Sequence, residues 1–312
     1  MKQSVKKKPK KTYSKILKYS IPTILIALIV FIVGIRLYQY ANRLELIQLG
    51  NQSSSQMMGY VLKTSDNKVV VIDGGTKADT QNLEEQIKQY GGKVDAWFLT
   101  HPHKDHVGAF VEIISEESSI EIEKVYVTLN TLEWYQTNEP SRKEEIETFF
   151  SKIEQESIKE KIQEVALGQV IQIGNLRCEI LGIKNPEITN NAINNSSMVI
   201  KMYINDKSLL FLGDTGVESS QKLLKNQSKG KLKATIVQMA HHGQSGAIEE
   251  LYQTIKPQIC LWPTPDWLWE NDAGDGKNTG PWKTLETRAW IEKLKVKQHV
   301  IQKDGNCKME ID

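Results

Sequence analysis

The sequence predicts an α/β domain of two packed β-sheets with helices outside, preceded by one N-terminal transmembrane helix. Three features lead there. Short apolar runs recur through residues 44–312, several paired around Gly, Asn or Asp turns, with amphipathic stretches between them. The runs form antiparallel pairs rather than a strand–helix–strand alternation, which favours packed sheets over a doubly wound fold. A lysine-rich start leads into an apolar segment long enough to cross a bilayer.

Of 312 residues, 25% are charged and 39% hydrophobic, an ordinary globular balance. Residues 1–18 hold eight lysines and no acid, and 20–33 are almost wholly apolar. No small-x-small cleavage site follows; Arg36-Leu37-Tyr38-Gln39-Tyr40 comes instead. The reading is a basic cytoplasmic tail over 1–18 and an uncleaved signal anchor over 19–40. That leaves a domain over 41–312, held outside the cell by a single pass through the cell membrane. Taking eight lysines from the formal charge of +2 leaves −6, too acidic for a broad nucleic-acid surface. Cys178, Cys260 and Cys307 form no Cys-x-x-Cys pair and no disulfide framework.

Strands are expected at 44–49, 57–63 and 68–72, the last two joined by Ser65-Asp66-Asn67. Thr80 caps a helix to Tyr90, which Gly91-Gly92 stops. A buried strand over 96–99 leads into a histidine-rich turn, with a helix opening at Val107. A strand at 123–127 and an amphipathic helix at 141–155 follow. Hairpins are expected at 169–183 and 197–212. Beyond them come helices at 217–224, 251–255 and 285–294, with strands at 234–239 and 259–262. Two closing strands frame Asp304-Gly305.

The stretch Thr100-His101-Pro102-His103-Lys104-Asp105-His106 gathers half of the chain's six histidines. Imidazole nitrogens and a carboxylate on a turn after a rigid strand suit a borderline-soft divalent ion such as zinc. Other apolar strands end in similar cargo: Val71-Ile72-Asp73-Gly74-Gly75, Phe211-Leu212-Gly213-Asp214 and His241-His242-Gly243. Glycine lets the backbone turn sharply beside a ligand.

On these residues the chain, over roughly 44–312, resembles the metallo-β-lactamase superfamily. The resemblance implies an αββα sandwich with a metal site at the sheet edges. It implies that His101 and His103 bind one ion, Asp105 and His106 a second, and that Asp214 bridges them. One of His241 and His242 would complete the second set. Asp73 would orient the site by hydrogen bonds, and Asp105 and Asp73 are the candidate catalytic residues. Asn194-Asn195-Ser196-Ser197-Met198-Val199-Ile200, followed by Gly213-Asp214 and His-His-Gly, is similar to the ComEC/Rec2 branch, whose members carry such a domain beside a DNA-uptake channel. Here there is one span and no channel, and His103 stands where that branch often has aspartate. No histidine lies between His106 and His241. Many binuclear members of the resembled family place one there, so the resemblance implies that the first ion would have only His101, His103 and Asp214 and be the weaker of two Zn²⁺ sites or one preferring Mn²⁺.

The implied function is metal-dependent hydrolysis of phosphodiesters, with metal-activated hydroxide as nucleophile and Asp105 orienting it. The substrate would be an anionic phosphodiester, nucleic acid or cell-wall polymer, and no protein partner is evident. Lys222 and Lys225 could track phosphates. Trp267 and Trp269 could stack on bases or cage a quaternary ammonium. Asn195 and Ser196 complete the candidate substrate contacts. The alternatives are a cell-wall phosphorylcholine-type esterase, another ester or amide hydrolase, and a non-catalytic binding module of the same fold.

Overall fold

The computed structural model describes residues 13–115 and 118–312, with side chains from Thr23 onward apart from Tyr40. The chain divides into two compact units, Met1–Asn42 and Arg43–Asp312. Residues 1–12 of the expected basic tail lie outside the described residues. Among its described residues, the first unit holds one helix, Tyr13–Ala41, whose side chains from Thr23 to Tyr38 are exposed. Among the described residues, no helix is long and apolar enough to cross a membrane. The transmembrane expectation over 19–40 is therefore not borne out by the described part of this helix; the side chains of residues 19–22 and 40 fall outside it.

The second unit contains, among the described residues, two seven-stranded sheets. The first runs Cys307–Ile311, Leu44–Gln48, Gly59–Thr64, Val69–Asp73, Ala96–Phe98, Val125–Val127, Ile162–Glu164. The second runs Gln298–Ile301, Ile259–Trp262, Ile236–Gln238, Lys207–Phe211, Val199–Ile204, Leu176–Gly182, Val170–Ile173. Each sheet is antiparallel on one side and parallel on the other. Pairing turns parallel between Val69–Asp73 and Ala96–Phe98, and again from Lys207–Phe211 across to Gln298–Ile301. Parallel neighbours finish at a common edge, so the segments after their C-terminal ends are brought together there.

Alternation of side chains across each strand fills three layers. In Val69–Asp73 every residue is buried; Val70 and Ile72 face the second sheet, while Val69 and Val71 face outward into helix-covered space. Between the sheets, Leu46, Tyr60, Phe98, Ile200 and Phe211 pack together. Outside the first sheet, Trp97 meets Phe110 of helix Lys104–Ser115 and Phe149 of helix Lys143–Ile153. Outside the second, Val237 and Cys260 meet Leu223, Tyr252 and Ile291 from three further helices. This is the expected αββα sandwich.

Three local expectations change. The helix after the histidine turn starts at Lys104 rather than Val107, because the His103 carbonyl already accepts from the N–H groups of His106 and Val107, at 2.9 and 3.0 Å. A separate helix, Leu132–Asn138, and an edge strand, Ile162–Glu164, were not foreseen. The two closing strands join different sheets: Gln298–Ile301 lies beside Ile259–Trp262, and Cys307–Ile311 crosses to pair with Leu44–Gln48.

Candidate metal centre

Every chemically active segment leaves a strand at the shared edge. Asp73 ends its strand in a left-handed conformation, with φ 52°. Its Oδ1 accepts from the Thr100 N–H at 2.7 Å, and its Oδ2 accepts from the Thr100 hydroxyl and from His106 Nδ1, both at 2.7 Å. A carboxylate only accepts, so His106 carries its proton on Nδ1 and turns Nε2 into the site. The same reasoning applies to His242, whose Nδ1 donates to the Pro263 carbonyl at 2.9 Å. The Thr100 hydroxyl, having given its proton to Asp73, accepts from His101 Nδ1 at 3.1 Å. Three buried imidazoles thus turn Nε2 toward one spot, bare whenever the ring is neutral.

Asp214 occupies that spot. Its carboxylate oxygens lie 3.2 Å from His106 Nε2, 3.5 Å from His242 Nε2, 3.7 Å from His101 Nε2 and 3.9 Å from His241 Nε2. Two donor sets share it. Asp105, His106, Asp214 and His242 each offer an atom within 4.8 Å of the others, and so do His101, His103 and Asp214.

The residues fit a divalent cation on their own chemistry. His101 Nε2 faces His103 Nδ1 at 3.1 Å, while the other nitrogen of His103 lies 3.7 Å from Glu139 Oε2. His103 Nε2 is buried without a hydrogen-bond partner among the described residues, a bare donor atom of the kind a cation takes up. Among the described residues, His106 Nε2, His242 Nε2 and Asp214 Oδ1 are buried without a hydrogen-bond partner, which is costly for groups that no cation compensates. The electrostatics agree. Burial lowers the His101 pKa, and His106 beside it adds to that. Burial works against charge on His242 too, but Asp214 and Asp105 outweigh it and raise its pKa to about 9. For His106, Asp214 and Asp73 likewise outweigh burial and lift its pKa well above the ordinary imidazole value. Burial would raise the Asp214 pKa, yet His106, His242 and His241 hold it far below the carboxylate range. Protons thus compete for the positions a metal ion would take.

The turn 240–243 separates the two adjacent histidines. His241 and His242 both adopt left-handed backbone, φ 49° and 55°. Gly243 continues at φ 75°, where a Cβ would meet the Trp262 ring at 2.6 Å. His242 is fully buried and 3.3 Å from Asp105 Oδ2. His241 stays outside both donor sets, with its side chain 17% exposed at the lip of a cavity of about 300 Å³.

That cavity is lined by His103, Asp105 and Asp214 and also by Gln56, Lys104, Arg142, Asn194 and Trp267. Gln56 donates to Asp105 Oδ2 at 3.0 Å and accepts from Gln244 at 3.0 Å. Trp267 is pinned by its indole N–H to the Ser54 carbonyl at 2.7 Å and rests against Trp282, ring centroids 4.7 Å apart.

Several expected substrate contacts lie elsewhere. Asn195 is buried, where its side chain holds Ser219 N–H, the Asn190 carbonyl and Glu218. Ser196 serves Asn130 and Asn185. Of that turn, Asn194 reaches the cavity instead. Lys222 is tied to Asn185 and Glu187 beside a different, apolar cavity, and Lys225 is exposed in the last turn of helix Val217–Asn226. Trp269 packs against Trp262 beneath the Arg288 guanidinium, in a cavity of about 570 Å³ that contains none of the cluster. Asp73 is fully buried, outside the lining of the cavity at the cluster, and acts on the site through His106. Lys104, Arg142, Gln56 and Glu139 were missed: Lys104 lies inside the histidine motif but was given no role there, and no local motif marks the other three.

A family model described as the metallo-beta-lactamase superfamily matches residues 58–257. No curated protein matches the sequence. Among solved structures, the metallo-beta-lactamase fold protein YhfI from Bacillus subtilis is similar at TM-score 0.51 and 11% identity, covering 86% of this chain and 99% of that one. CmlA, a diiron beta-hydroxylase from Streptomyces venezuelae, is similar at TM-score 0.52 and 10% identity, over 86% of this chain and 54% of its own. Unliganded yeast PDE1 aligns at TM-score 0.46 and 12% identity, over 83% and 97%.

Proposed function

The chain belongs to the metallo-beta-lactamase superfamily, and on that footing we propose that it is a metal-dependent phosphodiesterase. The observation that carries the reading is Asp214, shared by two His/Asp donor sets at a cavity whose cations are Lys104 and Arg142. His101, His103 and Asp214 would hold one divalent ion, and Asp105, His106, Asp214 and His242 the other. Ions held there supply Lewis acidity toward a phosphoryl oxygen and a nucleophile at neutral pH.

The protein's own residues do the rest. Arg142 and Lys104 attract and orient the anion. Gln56 holds Asp105 in place, and Asp73 and Pro263 fix the tautomers of His106 and His242. His241, on the lip, is placed to donate a hydrogen bond to substrate. Trp267, backed by Trp282, offers an aromatic face to one substituent of the phosphate. That face also supports a second reading, a phosphorylcholine-type esterase, because indoles bind quaternary ammonium groups. Zn²⁺ and Mn²⁺ are the ions proposed.

The lysines of 1–18 and the apolar run that follows support a finer proposal: membrane anchoring with the catalytic unit outside, as a stand-alone relative of the ComEC/Rec2-like branch. Protease added to intact cells should then remove the domain. The test of activity is the full chain, loaded with Zn²⁺ or Mn²⁺, against bis-p-nitrophenyl phosphate, p-nitrophenyl phosphorylcholine and a lactam. Turnover of the first above the others supports the reading; turnover of the lactam alone overturns it.

A further inference from the structure

Beside the cavity at the cluster lies a groove of about 410 Å³, and Lys104 and Arg142 line both. Helix Lys104–Ser115 provides one wall through Val107 and Val111. Residues 141–149 provide the other, ending on Thr148 and Phe149. Glu144 and Glu145 line the groove but not the cavity. The two cations are thus common to both, and the two carboxylates belong to the groove alone. Glu145 is only 17% exposed, and its Oε2 is 3.7 Å from Arg142 Nη1. Its Oε1 is buried and takes no hydrogen bond among the described residues.

Resting on the phosphodiesterase reading, we propose that this groove seats one arm of the substrate, accepting an arm that bears hydrogen-bond donors and rejecting one that bears a second phosphate. The apolar floor suits the carbon face of such an arm. Glu145 Oε1 is an acceptor in want of a donor, which a hydroxyl or amine supplies. A phosphate beside Glu144 and Glu145 instead meets like charge in partly desolvated surroundings. With a phosphate set about 10 Å away, that repulsion weakens binding on the order of tenfold. A nucleic-acid strand carries a phosphate at every nucleotide, so it would run its next charge into these carboxylates. The favoured substrate is a diester whose phosphate stands alone, rather than a polyanionic strand.

The test uses the metal-loaded full chain and three probes: thymidylyl-thymidine, its 5′-phosphorylated form and its 3′-phosphorylated form. Binding is read by equilibrium dialysis and cleavage by product release. The unphosphorylated dinucleotide should bind about tenfold more tightly than at least one phosphorylated form. The double substitution Glu144→Gln, Glu145→Gln should bring that ratio to within about threefold. Thr148→Lys, on the exposed groove wall, should narrow it independently. Equal binding of all three probes, or a ratio unmoved by both variants, overturns the groove assignment. Cleavage without the ratio overturns the groove and keeps the phosphodiesterase reading. The ratio without cleavage keeps the groove and overturns that reading.

Discussion

His106 Nδ1 lies 2.7 Å from Asp73 Oδ2, and both side chains are fully buried. This contact joins the end of one strand to the first turn of the helix after its parallel neighbour. It leaves His106 Nε2 free to face Asp214. Asp73→Asn keeps the volume but loses the carboxylate acceptor that fixes the ring. A ligand-orienting partner of this kind is worth about 10–100-fold in metal affinity or activity. Metal titration of the variant should show a loss of that size with an unchanged circular dichroism spectrum. Wild-type affinity and rate together would show that Asp73 does not orient His106.

The two adjacent histidines should separate on substitution. His242→Ala removes a member of the fuller donor set, so elemental analysis should find about one ion fewer per chain. His241→Ala should keep the full metal content and lose about 10–100-fold in rate, the worth of one hydrogen bond to a charged group. Loss of metal from the His241 variant alone would reverse the assignment.

Gln56 reaches Asp105 from a loop that no motif marks. Gln56→Ala should lower turnover about tenfold while leaving thermal stability nearly unchanged, since Gln56 is only partly buried. A fall in melting temperature with undiminished turnover would make the contact structural only.

Gly108 faces the backbone of residues 76 and 77, and a Cβ there would lie 2.8 Å from the Lys77 nitrogen. Backbone cannot yield as a side-chain tip can. Gly108→Ala should cost about 1–3 kcal/mol, lowering the melting temperature by several degrees at about 2–4 °C per kcal/mol for a domain near this size. Calorimetry checks this, and no shift would mean that the helix Lys104–Ser115 can move away freely.

What the sequence disclosed follows from how local each signal is. His101, His103, Asp105 and His106 lie within six residues on a strand-to-helix turn, so their pattern survives without a fold. Asp214 and the His241-His242 pair were legible as strand-end residues beside glycine, but not which of the two histidines joins the donor set. Arg142 was not, because it reaches the cavity only through the packing of helix Lys143–Ile153 on helix Lys104–Ser115. The lysines after Asp214 misled for a converse reason. Helix Val217–Asn226 buries Leu223 against the second sheet and carries Lys222 to a different cavity. Trp267 and Trp269 sit two residues apart on one helical turn, which sends them to opposite sides. Spacing could not say which side faces the metal cluster. The sandwich itself was readable from strand patterning. The parallel half of each sheet was not, since pairing partners far apart in sequence leave no local trace.

Asp214 is the residue on which the proposed centre turns, because both donor sets include it. Metal content measured on the wild-type chain and on Asp214→Ala, after equilibration with the same free Zn²⁺, tests that directly. The wild type should hold two ions per chain and the variant fewer than one, with both proteins folded. A variant that still holds two ions would contradict a centre bridged by Asp214.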